Sequence, residues 1–230
     1  MTDAGPPDPA EAEALDAAEA DAADTREADL ELLLGSRERA DAMADRLRRT
    51  ADWRGLGRPD AMRLADCFLS AMRHRAASIL DDHHPDYLHP ARTALILLDD
   101  AGVRDPAVLF AAVLQDTARP DLAMPADEVE RIAGPPAAAV IRLLPSPEVD
   151  PHEITETLVT LPPGVLALYL AAQLDHVRHL HLGERGRWRE GHRRVTGALI
   201  PLAHRCHPTL ATRFERWAGA FRRRFLEAGP

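Results

Sequence analysis

The sequence contains no lysine and no asparagine, and among its 230 residues there are only two cysteines, five Phe, three Trp and two Tyr. All 28 basic residues are therefore arginine. This skew reads as genomic base composition, so Arg at any one position carries little functional information. Cys67 and Cys206 have no CxxC spacing, which leaves two reduced, buried thiols as the expectation rather than a disulfide or a zinc site. β-Branched and aromatic residues are scarce beside Ala and Leu, which favours helix over sheet. The longest apolar run, inside GVLALYLAAQL at 164–174, falls well short of the roughly 20 residues that span a bilayer. No charged-then-apolar leader opens the chain, so no membrane partner and a cytoplasmic location are expected by default.

The charge that is present is unevenly distributed. The formal balance is −9, but residues 1–33 hold 11 acids and one Arg, and the remaining 26 acids and 27 Arg nearly cancel. The opening stretch, MTDAGPPDPAEAEALDAAEADAADTREAD, is acidic, Ala-rich and of low complexity, and has little to bury. Residues 1–30 are read as a disordered or fraying helical extension, and 31–230 as the folded domain. Residues 178–230 carry 12 Arg against 4 acids, the pattern of a solvated face or of an anion or protein contact. No aromatic or Gly-rich nucleic-acid module accompanies it, so no nucleic-acid partner is expected.

Apolar residues recur at helical spacing along the rest of the chain, and Gly and Pro punctuate it. Helices are expected over ERADAMADRLRRTAD, from Pro59 through Arg75, and over ARTALILLDDAG, PAVLFAAVLQD, ADEVERIAG and PPAAAVIRLL. A short one follows at HEITETLVT and a long one at PGVLALYLAAQLDHVRHLHL. Two more cover RWREGHRRVTGALIPLAHRC and PTLATRFERWAGAFRRRFLEA. Strand-like alternation is missing throughout. The fold class is all-α, a helical bundle of about nine or ten helices.

One of these helices ends unusually. AVLFAAVLQDTARPD at 107–121 runs eight apolar residues into Gln115 and Asp116. A carboxylate at the end of a buried helix is costly without a cation, a metal or several donors. Arg119, three residues on, is expected to supply the cation. Pro120 would end the helix, and the Gln115 amide would bond His89 or a backbone carbonyl.

Four fragments in order, YLHP at 87–90, AGVRDPAVLFAAVLQDT at 101–117, EVERIAGPPAAAVIRLL at 128–144 and VLALYLAAQLDHVRHL at 165–180, together resemble the HD-domain hydrolases of the RelA/SpoT type. The resemblance is to the short single-domain guanosine tetraphosphate pyrophosphohydrolases, the small alarmone hydrolases, and is strongest over 60–228. It implies an HD-domain bundle and a centre in which His, a His-Asp pair and a further Asp hold one Mn²⁺. A divalent ion so held lowers the pKa of a bound water for attack on phosphorus.

This chain departs from that pattern where the chemistry lies. His89 and Asp116 match two metal ligands, but Gln115 replaces the His of His-Asp and Ala172 replaces the fourth ligand. Arg119 and Pro120 replace the Glu-Asp pair that handles water and leaving group. In the nucleotide pocket Tyr87 and Arg178 match, His176 replaces an asparagine and Tyr169 a lysine. Asp175, three residues after Ala172, is the substitute ligand nearest to hand, with His83, His84 and His176 as further imidazoles. Two missing ligands imply loss of catalysis on a retained scaffold. The expected function is a catalytically inactive module that binds guanosine polyphosphate, another nucleotide or a protein, with no cofactor. The alternatives are an active phosphohydrolase using Mn²⁺ through substituted ligands, and a structural helical interaction protein.

Overall fold

The computed structural model describes residues 35, 37–82, 88–118, 124–145 and 155–227. Ten helical elements and no strand occur among them. Helix α1 covers 37–53, α2 Arg58–Asp82, and α3 His89–Ile96 with a π turn at Leu97–Ala101. α4 is Pro106–Leu114 with a 3-10 turn at Gln115–Ala118; α5 is Ala126–Ala133, α6 Pro135–Leu143 and α7 Thr155–Leu158. α8 is Pro163–Arg178. α9 joins Arg185–Arg194 through a π turn at Val195–Leu199 to Ile200–Cys206, and α10 is Pro208–Phe221 with a π turn at Arg222–Leu226. The expected 1–30 extension lies outside the described residues.

Two helices form the axis of the core, each enclosed over most of its length: α4 is apolar throughout, and α8 carries Gln173 and Asp175 among its buried apolar residues. In α4 every residue from Val108 to Leu114 is buried, and in α8 every residue from Val165 to Asp175. α4 packs on α2, α3, α6 and α8, while α8 is also covered by α3, α9 and α10. The two approach closely at Gly164, where a Cβ would stand 2.8 Å from Val108 Cγ2. Any larger residue there would push α8 off α4. One contiguous apolar cluster reaches from Ala40 in α1 to Phe214 in α10.

Local chemistry sets the ends that matter to the site. Asp105 caps α4, its side chain accepting from Ala107 N at 2.9 Å, and Pro106 occupies the first turn, where no amide donor is missed. Gly102, at φ +68, closes the π turn of α3 in the left-handed region that other residues avoid. Cys67 is buried as expected, and burial pushes its thiol up to about 11. Cys206 corrects the other half of that expectation. It is exposed, because the last turn of α9 presents it to solvent while Leu202 and Ala203 face inward.

Candidate functional site

α3 and α8 lie side by side and bring together residues 86 positions apart in sequence. His89 starts α3 and is 3% exposed; Asp175, in the last turn of α8, is 1% exposed. His89 Nδ1 lies 2.8 Å from Asp175 Oδ2. Arg92, one turn along α3, places Nε 3.0 and 2.9 Å from the two carboxylate oxygens and Nη2 2.9 Å from Oδ2. Burial alone would raise the Asp175 pKa. The hydrogen bonds from His89 and Arg92, together with the guanidinium charge of Arg92, outweigh it and hold the carboxyl down at about 2. An ionised carboxylate can only accept, so Nδ1 of His89 is the protonated ring nitrogen and donates to it.

The other edge of the His89 ring faces the end of α4. Gln115 Nε2 lies 3.5 Å from His89 Nε2. With the proton on Nδ1, Nε2 is the ring's acceptor and the Gln115 amide nitrogen its donor. His176, half-buried in α8, stacks on His89 with ring centroids 4.0 Å apart and planes 11° from parallel. His179 Nδ1, 2.9 Å from Asp175 O, donates to that carbonyl and ties the end of α8. Ala172 is buried one turn before Asp175 and His176, on the same face of α8.

Asp116 is less enclosed than its apolar approach suggests. α4 tightens into a 3-10 turn after Leu114, which carries Gln115 and Asp116 to half-buried positions while Thr117 turns inward. The Thr117 hydroxyl donates to Leu114 O at 2.6 Å, satisfying a carbonyl left over at the helix end. The carboxylate thus shares its environment with solvent, and its desolvation cost is smaller than a core position would impose.

These residues do not fit a four-ligand divalent site. Gln115 turns an amide nitrogen toward His89, Ala172 offers a methyl group, and Asp175 is engaged on both oxygens by Arg92 and on one by His89. Among the described residues no group of three or more His, Cys, Asp or Glu converges as metal ligands would. Asp175 is better understood as the group that orients His89 and neutralises Arg92.

The other sequence candidates are dispersed. Arg178 pairs with Asp100 at 3.8 Å, and Arg213 hydrogen-bonds the other oxygen of the same carboxylate. Asp100 lies on the π turn of α3, eight residues beyond Arg92 and thus about 12 Å further along the helix. Tyr87, Arg119 and Pro120 lie outside the described residues, as do His83 and His84. Arg92 is the residue that sequence reasoning missed. Its only signal was its place one turn after His89 in HPAR, hidden by the general abundance of Arg.

No family model matches the sequence, and no curated protein does.

Proposed function

We propose that this chain is a catalytically inactive domain of the HD type, similar to small alarmone hydrolases, that binds a guanosine polyphosphate or related nucleotide without hydrolysing it. The observation that carries the reading is the pairing at the α3–α8 contact. The position that should bind metal through His89 instead faces an amide donor, and the adjacent carboxylate is saturated by a guanidinium. Such a centre favours an anion over a divalent cation, because a cation already occupies the acidic group. His176 and the 40%-exposed side chain of Arg178 are the ligand contacts on α8, Arg offering a planar fork to phosphate oxygens.

Titration of the purified full chain with guanosine tetraphosphate, with and without Mn²⁺, tests this reading. Binding is expected that does not depend on Mn²⁺, that weakens in Arg178→Ala, and that releases no pyrophosphate. The double variant Gln115→His with Ala172→Asp should remain inactive, because Arg92 still holds Asp175 and Arg119 and Pro120 still stand where the water-handling acids belong. Mn²⁺-dependent pyrophosphate release by either protein overturns the proposal in favour of a phosphohydrolase with substituted ligands. Absence of any nucleotide binding overturns it in favour of a structural interaction protein.

A further inference from the structure

The Arg-rich C-terminal stretch is organised around a seam of rings. Trp188 meets Phe221 at 6.0 Å and Phe225 at 5.2 Å, both edge-on, and Trp217 stacks on Phe221 at 4.8 Å. Trp188, Trp217 and Phe225 are only half-buried. Arg185 lies over Trp188 at 5.6 Å and Arg224 over Phe225 at 5.3 Å, so guanidinium groups border the seam on both helices. Along α9, Arg185, Arg189 and Arg193 recur every four residues, about 6 Å apart on one stripe beside Trp188 and His192.

The acids near these arginines pair with other residues or with none. Glu184 pairs with Arg187 at 3.6 Å, Glu227 with Arg222 at 3.1 Å, and Glu215 with His204 at 2.7 Å. Glu190, three residues before Arg193, is exposed and makes no ion pair among the described residues. Among the described residues Arg185, Arg189, Arg193, Arg216, Arg223 and Arg224 have no carboxylate within ion-pair distance. An apolar strip flanked by unmatched positive charge is complementary to an apolar strip flanked by negative charge.

We propose that the α9–α10 seam is the docking surface for an acidic amphipathic helix of a partner protein. Carboxylates spaced four residues apart on such a helix meet Arg185, Arg189 and Arg193 in register, while its apolar side chains cover the rims of Trp188, Trp217 and Phe225. Single-stranded nucleic acid fits less well. Base stacking needs open ring faces, and here Arg185 covers Trp188 while Phe221 covers Trp217. This surface is separate from the α3–α8 cluster and does not depend on the nucleotide reading.

The test uses the full chain and a fluorescent synthetic helical peptide with leucine on one face and glutamate on the others, read by anisotropy. The peptide should bind, and a scrambled peptide of the same composition should bind at least about tenfold more weakly. Arg189→Glu with Arg193→Glu should weaken binding at least about tenfold, and Trp188→Ala by about the same factor. The charge reversal lies on exposed positions and keeps the test valid if Trp188→Ala fails to fold. The proposal is overturned if the amphipathic peptide does not bind, if the scrambled peptide binds equally well, if the charge reversal leaves affinity unchanged, or if oligothymidylate binds more tightly than the peptide.

Discussion

Arg92 sets its guanidinium against both oxygens of a carboxylate that is 1% exposed, whereas Arg189 and Arg193 are exposed on α9 and form no ion pair among the described residues. The same side chain therefore does different work in the two regions. At the α3–α8 contact its charge is required by the fold, because Asp175 has no water to stabilise it. On α9 the fold does not use the charge, which leaves it available for recognition. The comparison predicts that substitutions at the first region change stability and those at the second change only binding.

The largest effect should follow Asp175→Ala. Removing the carboxylate leaves Arg92 and the His89 ring N–H without their acceptor beneath α8, and breaking one side of a buried charge pair costs about 3–5 kcal/mol. Arg92 keeps a side-chain exposure of 24% and can recover part of its hydration, so the lower end of that range is expected. Urea denaturation should show a lower midpoint with an unchanged slope. A loss below about 1 kcal/mol, the size of a surface ion pair, would mean that the two regions do not differ as described.

Acid should expose the same contrast in the unmodified protein. The Asp175 pKa falls from an ordinary 3.8 to about 2 on folding, so the unfolded chain binds its proton more readily than the folded one. The resulting stability is fully present above about pH 4 and is lost as pH falls from there toward 2, amounting to about 2–3 kcal/mol. Comparing denaturation midpoints at pH 5 and at pH 2.5 for the native chain and for Asp175→Asn isolates it. The native chain should lose more stability than the variant over that interval, and parallel losses would show that other carboxylates govern acid unfolding.

Much of the fold was legible because its signals are local. The buried run in α4, its Asp105–Pro106 start, Gly102 closing α3 and the paired prolines opening α6 each fix an element within a few residues. The π turns at Leu97–Ala101, Val195–Leu199 and Arg222–Leu226 were not legible, since helical periodicity tolerates one widened turn without a compositional mark. The Gln115–His89 contact was expected from the sequence and is present, but the partners of Asp175 were not legible. His89, Gln115 and His176 were named through the resemblance, and Asp175 by its spacing from Ala172. That Asp175 faces Arg92 depends on how α3 and α8 approach across 83 residues of chain, and no local pattern encodes that approach. Asp116 illustrates the opposite error: its apolar approach suggested burial, but the 3-10 turn that leaves it half-buried has no sequence signature.

The smallest effect should follow Arg189→Glu together with Arg193→Glu, and that smallness is itself informative. Both side chains are exposed on the first half of α9, and no ion pair is lost when they are replaced. Glutamate is close to arginine in helix propensity, so the backbone preference hardly changes. Reversing two charges in a stretch rich in arginine relieves repulsion with Arg185 and Arg187 in the preceding turn. Acids at 189 and 193 stand four residues apart and within a turn of Glu190, a like-charge repulsion that acts in the other direction and offsets part of that gain. The net change in unfolding free energy should stay within about 0.5 kcal/mol, as for surface positions generally. If the double reversal instead lowered stability by more than about 1 kcal/mol, these arginines would have structural partners, and the division between a charge required by the fold and a charge left for recognition would fail.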